Sequence, residues 1–267
     1  MNEQQKQSLY DNAKRWVLEA GEHIRTKMHQ PLVIETKSNP DDLVTEMDQD
    51  TEKFFAEKIR ESYPDHKVLG EEGFGDDVKD LDGVTWIVDP IDGTMNFVHQ
   101  KQNFAISVGI FKDGIGEIGF IYDVMKDCLY HAKRNEGAYK NDQLLPALAN
   151  SIPLEEAIIG LNSTWAVPNK KVDENGIHRL IRKVRGTRSY GSAALEFAYI
   201  AEGIMDSYIT MRLAPWDIAA GIVLVHEVGG KVTKANGEPI NMLDKQSILA
   251  SNASIHKEIS MNYISFK

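Results

Sequence analysis

The segment Trp86-Ile87-Val88-Asp89-Pro90-Ile91-Asp92-Gly93-Thr94 carries the strongest local signal in this chain of 267 residues. Its β-branched and aromatic beginning predicts a buried strand that ends at Asp89-Pro90. Proline fixes φ and lacks an N–H, so the turn is stiff and can point Asp89 and Asp92 to the same side. Gly93 lets a ligand approach the backbone, and the N–H groups of Gly93 and Thr94 can begin a helix that receives a phosphate. Taken alone, an ordinary strand-to-helix turn explains the same residues.

The surrounding sequence alternates between helical and strand patterns. Apolar residues recur every three or four positions from Leu9 to Met28, and a capping box at Thr45–Asp48 begins a second helix. Short apolar runs between residues 104 and 139, separated by turn residues, indicate an antiparallel meander. Further on we expect strands at 157–161, 207–212 and 231–233, and helices at 177–184, 192–202 and 217–228. This order predicts an α+β half followed by an α/β half, with a boundary near 145–155.

Composition excludes several classes of protein. A single cysteine, Cys128, excludes a disulfide framework and a cysteine-rich zinc site. No apolar run approaches the ~20 residues of a membrane span, and no signal peptide is visible, so we expect a soluble cytoplasmic protein. The net charge of −10 argues against nucleic acid as a partner. An acidic protein can still bind a phosphorylated small molecule if metal ions supply positive charge.

Four acidic residues lie where sites in open α/β sheets form, because each ends a strand or begins a helix: Glu71, Asp89, Asp92 and Asp217. Four converging carboxylates without His or Cys repel one another unless cations neutralise them, and such oxygen ligands select Mg²⁺ or Mn²⁺ rather than zinc. Taken singly, Glu71 and Glu72 are equally typical of a solvated strand edge. Asp217 alone is typical of a helix N-cap.

Two further segments bear on the site. Lys37 and the acidic stretch Asp42–Asp48 flank a flexible Asn-Pro turn, which is also what a solvated loop and helix cap look like. Gly191–Ala194 places small residues at a helix start, where a backbone can meet a ligand or where a helix simply packs closely on a sheet.

Together these segments resemble the inositol monophosphatase family of Mg²⁺-dependent, lithium-sensitive phosphatases. The matching pieces fall in the family's order: Asp42–Asp48, Gly70–Glu72, Trp86–His99, Gly191–Ala194 and Trp216–Gly230. The resemblance implies a layered αβαβα sandwich of the inositol monophosphatase and fructose-1,6-bisphosphatase type. It spans residues 1–267 as one phosphatase fold with lobes 1–150 and 151–267, usually as a homodimer. It also implies hydrolysis of small phosphate monoesters, with inositol 1-phosphate as the default substrate.

The same resemblance implies a role for individual residues. A first Mg²⁺ would be held by Glu71, Asp89 and the main-chain oxygen of Ile91, and a second by Asp89, Asp92 and Asp217. A third, weaker ion would lie near Glu71, and Mn²⁺ is a possible substitute. Thr94 with Asp48 would orient or deprotonate the attacking water, with Glu72 or Lys37 supporting that loop. Phosphate and sugar contacts would come from Asp92, Gly93, Thr94, Gly191, Ser192 and Ala193.

One position departs from the family pattern. Thr210 stands where members selective for inositol phosphates carry a glutamate, seven positions before Asp217. Losing that acceptor costs about 1–3 kcal/mol of selectivity if ring hydroxyls stay unpaired. Arg188 and Arg212 instead favour a substrate with a second phosphate, such as NADP(H) or fructose 1,6-bisphosphate, although each alone is typical of surface ion pairing.

A third alternative is a regulatory homologue without activity. The complete set of four clustered acids argues against it, because a site that has lost its reaction has no reason to keep them.

Overall fold

The computed structural model describes residues 2–30, 34–36, 43–149 and 151–267. The helices of this part are α1 Glu3–Lys27, α2 Glu46–Ser62, α3 Thr94–Gln100, α4 Glu174–Lys183, α5 Ala193–Ala201, α6 Pro215–Glu227 and α7 Ala253–Asn262. The first strands are β1 Ile34–Thr36, β2 Leu43–Thr45, β3 Lys67–Gly70, β4 Val84–Asp92, β5 Ala105–Lys112, β6 Ile115–Asp123, β7 Cys128–Lys133, β8 Ala138–Lys140 and β9 Gln143–Leu144. The remaining strands are β10 Ile158–Leu161, β11 Gly186–Arg188, β12 Ser207–Leu213, β13 Lys231–Thr233 and β14 Gln246–Ser251.

The first large sheet has seven strands in chain order from β3 to β9. All neighbours pair antiparallel except β3 and β4, so the predicted meander is confirmed. The predicted end of its second strand is wrong, because β4 continues through Pro90 as far as Asp92. Its register against β5 shifts between Asp89 and Asp92, and an irregularity of this kind accommodates a proline that has no N–H to donate.

The second large sheet has five strands in the order β11-β10-β12-β14-β13. Strand β10 pairs parallel with both β11 and β12, whereas β14 pairs antiparallel with β12 and β13. Strand β14 and helix α7 lie beyond Thr233, the last residue for which the sequence predicts an element.

Three hydrophobic cores stack the helices and sheets in five layers. One core joins α1 and α2 to the outer face of the seven-stranded sheet, and the next places α5 and α6 between the two sheets. The third covers the far face of the five-stranded sheet with α4 and α7. Neighbouring strand residues face opposite cores, as Tyr208 and Ile209 do on β12. The order is the predicted αβαβα sandwich, whereas the division into lobes 1–150 and 151–267 stays a prediction.

The starts of two helices show how local chemistry sets these elements. Helix α2 begins after Thr45, whose side chain and that of Asp48 form the predicted capping box. Helix α6 begins at Pro215, two residues before the predicted start, with Ala214 as the N-cap. Asp217 is therefore not the N-cap: its carboxylate reaches back and accepts the Ala214 N–H at 2.6 Å. Within the described ranges, no helix combines the length and apolar character that crossing a membrane requires.

Candidate active site

Asp89, Asp92 and Asp217 meet where β4 ends and α6 begins. One carboxylate oxygen from each lies within 4.8 Å of those of the other two. The sheet brings the first two together because the register shift lets residues three positions apart face the same side. The third comes from a helix packed against the same strand, in the core between the sheets.

Asp89 is the most deeply buried of the three, with 1% of its surface exposed. Its Oδ1 accepts the Ile91 N–H at 3.1 Å, while its Oδ2 has no hydrogen-bond donor among the described residues. Burial raises the pKa of Asp89 well above its ordinary value, and the negative charges of Glu71, Asp92 and Asp217 raise it further. A buried carboxylate oxygen without a donor is suited to bind a cation.

Asp92 is held by the turn that begins helix α5. Its Oδ2 accepts hydrogen bonds from the Ser192 hydroxyl and, at 2.8 Å, from the Ala194 N–H. Burial raises the pKa of Asp92 to about 6 although these hydrogen bonds lower it. The predicted substrate-contacting turn at Gly191–Ala193 therefore also orients a carboxylate of the cluster.

Asp217 also has a strongly raised pKa. Burial raises that pKa to about 8, with further contributions from the charges of Asp92 and Glu71. The hydrogen bond from Ala214 opposes the shift only in part. One oxygen of the Asp217 carboxylate thus accepts the Ala214 N–H at the start of α6, and the carboxylate also lies next to Asp89 and Asp92.

Thr94 and Asp48 form a pair beside the cluster. The Thr94 Oγ1 lies 3.2 Å from Asp48 Oδ1 and 3.1 Å from the Ile91 carbonyl oxygen. The other oxygen of Asp48 accepts the N–H of Thr45 at 2.8 Å and also its hydroxyl. Burial raises the pKa of Asp48 to about 6, while the hydrogen bonds from Thr45 lower it. The capping interactions at the start of α2 therefore hold the Asp48 carboxylate against the hydroxyl of Thr94.

Glu71 belongs to the same electrostatic group. It is half-buried just after β3, and its charge raises the pKa values of Asp48, Asp89, Asp92 and Asp217. Glu72 is also half-buried, and its backbone N–H donates to Glu52 at 2.6 Å. The sequence did not single out Glu52, although it lies four residues after Asp48 and therefore on the same helix face. Lys37 and Asp42 lie outside the described residues.

A cavity of about 560 Å³ opens beside Asp92. Six residues that the sequence singled out line it: Asp92, Gly191, Ser192, Ala193, Thr210 and Arg212. Residues that the sequence did not single out also line it, among them Trp165, Lys171, Glu196 and Tyr208. Arg212 faces the cavity, whereas Arg188 is not among its lining residues and donates to the carbonyl of Thr187 at 2.8 Å.

Gly93 sits at the junction between the cluster and this cavity. Its φ of +95° makes it the left-handed N-cap of α3, and an added Cβ would lie 3.2 Å from the Gly191 carbonyl oxygen. A side chain here would be strained and crowded, so glycine lets the two backbone turns approach.

The donor set is suited to a hard divalent cation. Its converging atoms are carboxylate oxygens, with no histidine or cysteine in the described group of three acids. Oxygen ligands of this kind suit Mg²⁺ or Mn²⁺, and the Asp89 oxygen without a donor fits such an ion.

Comparison with known proteins agrees with this geometry. The sequence model of the inositol monophosphatase family matches residues 5–265. The inositol-1-monophosphatase of Bacillus subtilis (strain 168) is 57% identical over 252 residues, covering 94% of this chain and 95% of that protein. The solved structure of inositol monophosphate-bound SaIMPase-II, a staphylococcal enzyme, matches with a TM-score of 0.86 and 44% identity, covering 96% of this chain and 93% of that one. Its 2′AMP-bound form matches with a TM-score of 0.88 and 45% identity, covering 96% and 94%. The chain belongs to the inositol monophosphatase family and is a phosphoric monoester hydrolase.

Proposed function

We propose that this enzyme hydrolyses small phosphate monoesters, with inositol 1-phosphate as the default substrate, and that it requires Mg²⁺. The observation that carries the proposal is the meeting of Asp89, Asp92 and Asp217 within 4.8 Å, next to the Thr94–Asp48 pair. Phosphate monoesters hydrolyse extremely slowly without a catalyst, so electrostatic stabilisation must supply most of the rate enhancement. An acid cluster that concentrates divalent cations provides that stabilisation.

The proposed metal-binding residues are Glu71, Asp89, Asp92, Asp217 and the carbonyl of Ile91. They would hold two or three ions, with Mn²⁺ as a possible substitute. When bound, such ions stabilise the charge of the phosphoryl oxygens and lower the pKa of a coordinated water.

The chain's own residues would orient and deprotonate the attacking water. Thr94 accepts a hydrogen bond from the water while its own hydroxyl donates to Asp48, which lies 3.2 Å away. A proton leaving the water is thereby passed to Asp48, whose pKa of about 6 suits a general base near neutral pH. The oxygen of the water forms the new bond to phosphorus and the bond to the ester oxygen breaks. The ester oxygen takes a proton from solvent and leaves as the alcohol, and Asp48 returns its proton to solvent. Glu72 and Lys37 stay predicted supports of this loop.

The test measures phosphate release from inositol 1-phosphate with and without Mg²⁺, for the wild type and for Asp89→Asn. We expect the variant and a chelator each to abolish turnover. Asp123→Asn is the matched control, because Asp123 is equally buried but pairs with Lys126 at 2.8 Å rather than with the other acids. Full turnover in excess chelator would refute the proposal.

A second candidate substrate class carries another anionic group. Lys171 and Arg212 both line the cavity beside Asp92, and Thr210 offers a hydroxyl where inositol-selective members present a carboxylate. The staphylococcal relative with bound 2′AMP supports nucleotides with a single phosphate as a further group of substrates to test. A panel of kcat/KM values for inositol 1-phosphate, 2′AMP, NADP⁺ and fructose 1,6-bisphosphate decides between the two classes.

Two substitutions sharpen that panel. Thr210→Glu should shift the preference toward inositol 1-phosphate by about 5- to 100-fold, because it restores a charged acceptor. Arg212→Gln should lower kcat/KM for the substrates with a second anionic group and leave that for inositol 1-phosphate unchanged. If each substitution changes kcat/KM equally for all four substrates, neither Thr210 nor Arg212 determines which substrate is preferred.

Three finer properties also stay proposals. We expect a homodimer, tested by sedimentation, and inhibition by Li⁺, tested by phosphate release at fixed Mg²⁺. The cytoplasmic location predicted from composition is tested by cell fractionation.

A further inference from the structure

Glu52 is a buried charge that the proposed mechanism does not use. It lies on α2, and none of its surface is exposed. Its two carboxylate oxygens accept two backbone N–H groups of the segment after β3, from Glu72 at 2.6 Å and from Phe74 at 2.8 Å. The residue between Gly70 and Glu72 is Glu71, whose charge reaches the acid cluster. Glu52 therefore binds the backbone immediately next to a proposed metal ligand.

Gly70 packs directly against the carboxylate of Glu52. A Cβ added to Gly70 would lie 2.5 and 2.6 Å from the two oxygens of Glu52, which is closer than real Cβ atoms come. Glycine at this position thus permits the approach. Because hydrogen bonds to a charged acceptor are about twice as strong as neutral ones, the pair of contacts fixes residues 71–74 firmly.

Helix α2 contacts the same segment at a second point. The Arg60 guanidinium donates to the Phe74 carbonyl at 2.9 Å and to Asp76 at 3.0 Å. The Lys53 ammonium lies 4.6 Å from the centre of the Phe74 ring. Two turns of one helix therefore hold the segment, and Asp48 lies one turn before Glu52 on that helix.

We propose that Glu52 is a positioning residue that fixes Glu71 toward the acid cluster and joins it rigidly to the helix that carries Asp48. The proposal rests on the proposed function, since Glu71 matters only if cations bind there. A carboxylate is required because two N–H donors converge on it. Glutamine offers one oxygen and turns its NH₂ group toward the other N–H, which leaves a buried donor unpaired.

The first test needs no variant. Hydrogen exchange of the wild type, measured without metal, should show slow exchange at the Glu72 and Phe74 amides. Fast exchange at both amides would overturn the proposal directly.

The second test compares Glu52→Gln with Glu57→Gln, an exposed glutamate on the same helix. Calorimetric titration with Mg²⁺ and no substrate should show affinity 10- to 100-fold weaker for Glu52→Gln and unchanged for Glu57→Gln. Gly70→Ala should reproduce the weaker binding, because it displaces the carboxylate without altering its charge. In turnover, saturating Mg²⁺ should restore kcat of Glu52→Gln to within a few-fold of the wild type.

The outcomes separate this proposal from the proposed function. A fall in melting temperature with unchanged Mg²⁺ affinity in both Glu52→Gln and Gly70→Ala would make Glu52 merely structural and overturn the proposal. Weaker Mg²⁺ binding in both variants, combined with a wild type that releases no phosphate from any ester, would uphold the positioning role and reject the proposed function.

Discussion

Replacing Asp217 by asparagine should stabilise the protein when metal is absent. The substitution removes one negative charge from a buried group of acids, while the asparagine oxygen can still accept the Ala214 N–H that Asp217 accepts at 2.6 Å. Burial and the charges of Asp92 and Glu71 raise the pKa of Asp217 from 3.8 to about 8. Folding raises the pKa of this carboxyl group, so it destabilises the folded state at pH values above 3.8, where the group is ionised in the unfolded chain.

The size of the effect follows from that shift. Each pKa unit corresponds to about 1.4 kcal/mol, so ionising the group at pH 7.5 costs on the order of 5 kcal/mol of folding free energy. Because the neighbouring acids share this cost, removing one charge should recover about 2–4 kcal/mol, or roughly 5–10 °C in Tm. Stability of the metal-free wild type should fall as pH rises from 3.8 toward 8, so the two proteins should differ little near pH 4 and most near pH 8.

The assay is thermal unfolding in chelator across this pH range, repeated with Mg²⁺. At a concentration 100 times its Kd, Mg²⁺ should stabilise the wild type by about 2.7 kcal/mol and Asp217→Asn far less. Asp123→Asn should instead lower Tm with or without Mg²⁺, because it breaks the pair with Lys126. The reasoning is refuted if Asp217→Asn lowers the metal-free Tm at pH 7.5, or if Mg²⁺ raises the Tm of both proteins equally.

Three further outcomes follow from the same geometry. Thr94→Val should lower kcat by ~100-fold or more with little change in Tm, since it removes the hydroxyl beside Asp48; unchanged phosphate release would contradict its role. Calorimetric Mg²⁺ affinity should rise between pH 6 and 8, because the pKa values of Asp92, about 6, and Asp217, about 8, make protons compete with the metal; a flat profile would count against the cluster. Gly93→Ala should lower the free energy of unfolding by about 1–2 kcal/mol in urea titrations because its φ is +95°, and an unchanged midpoint would deny that strain.

The layers and most elements could be predicted because they follow local patterns. The stripe from Leu9 to Ile24 is buried on α1, and the strand patterns between residues 104 and 139 form the meander. A resemblance of motifs then supplied the order of the layers. Periodicity of this kind depends on side chains a few positions apart, so the sequence displays it directly.

Where the interpretation was wrong, distant partners or a misread signal decided the structure. The continuation of β4 past Pro90 depends on pairing with β5, which the local sequence does not show. The start of α6 did carry a signal, since proline is favoured at the first helical position and Asp217 stands three residues after the N-cap. If Pro215 is taken as the first helical residue, the sequence predicts the correct start of α6, and Asp217 is then not the N-cap.

Two buried glutamates, Glu52 and Glu196, escaped notice for a shared reason. Glu196 lies among buried apolar residues of α5, whereas Glu52 shares a face of α2 with Asp48. The purpose of each becomes visible only when the fold brings a backbone turn against it. Glu196 accepts the Tyr190 N–H at 3.0 Å, and burial, reinforced by the charge of Asp92, raises its pKa to about 7.

Both glutamates are buried near a cluster of acids whose burial disfavours folding without metal, and the charge of Glu196 acts directly on Asp92. Each holds a turn that carries proposed site residues, Glu71 in one case and Ser192 in the other. Because bound cations would offset the combined charge, metal binding and folding stability should be coupled in this enzyme. The turns at residues 70–74 and 190–192 are where that coupling should be largest, since each links a buried acid to the cluster through a few hydrogen bonds.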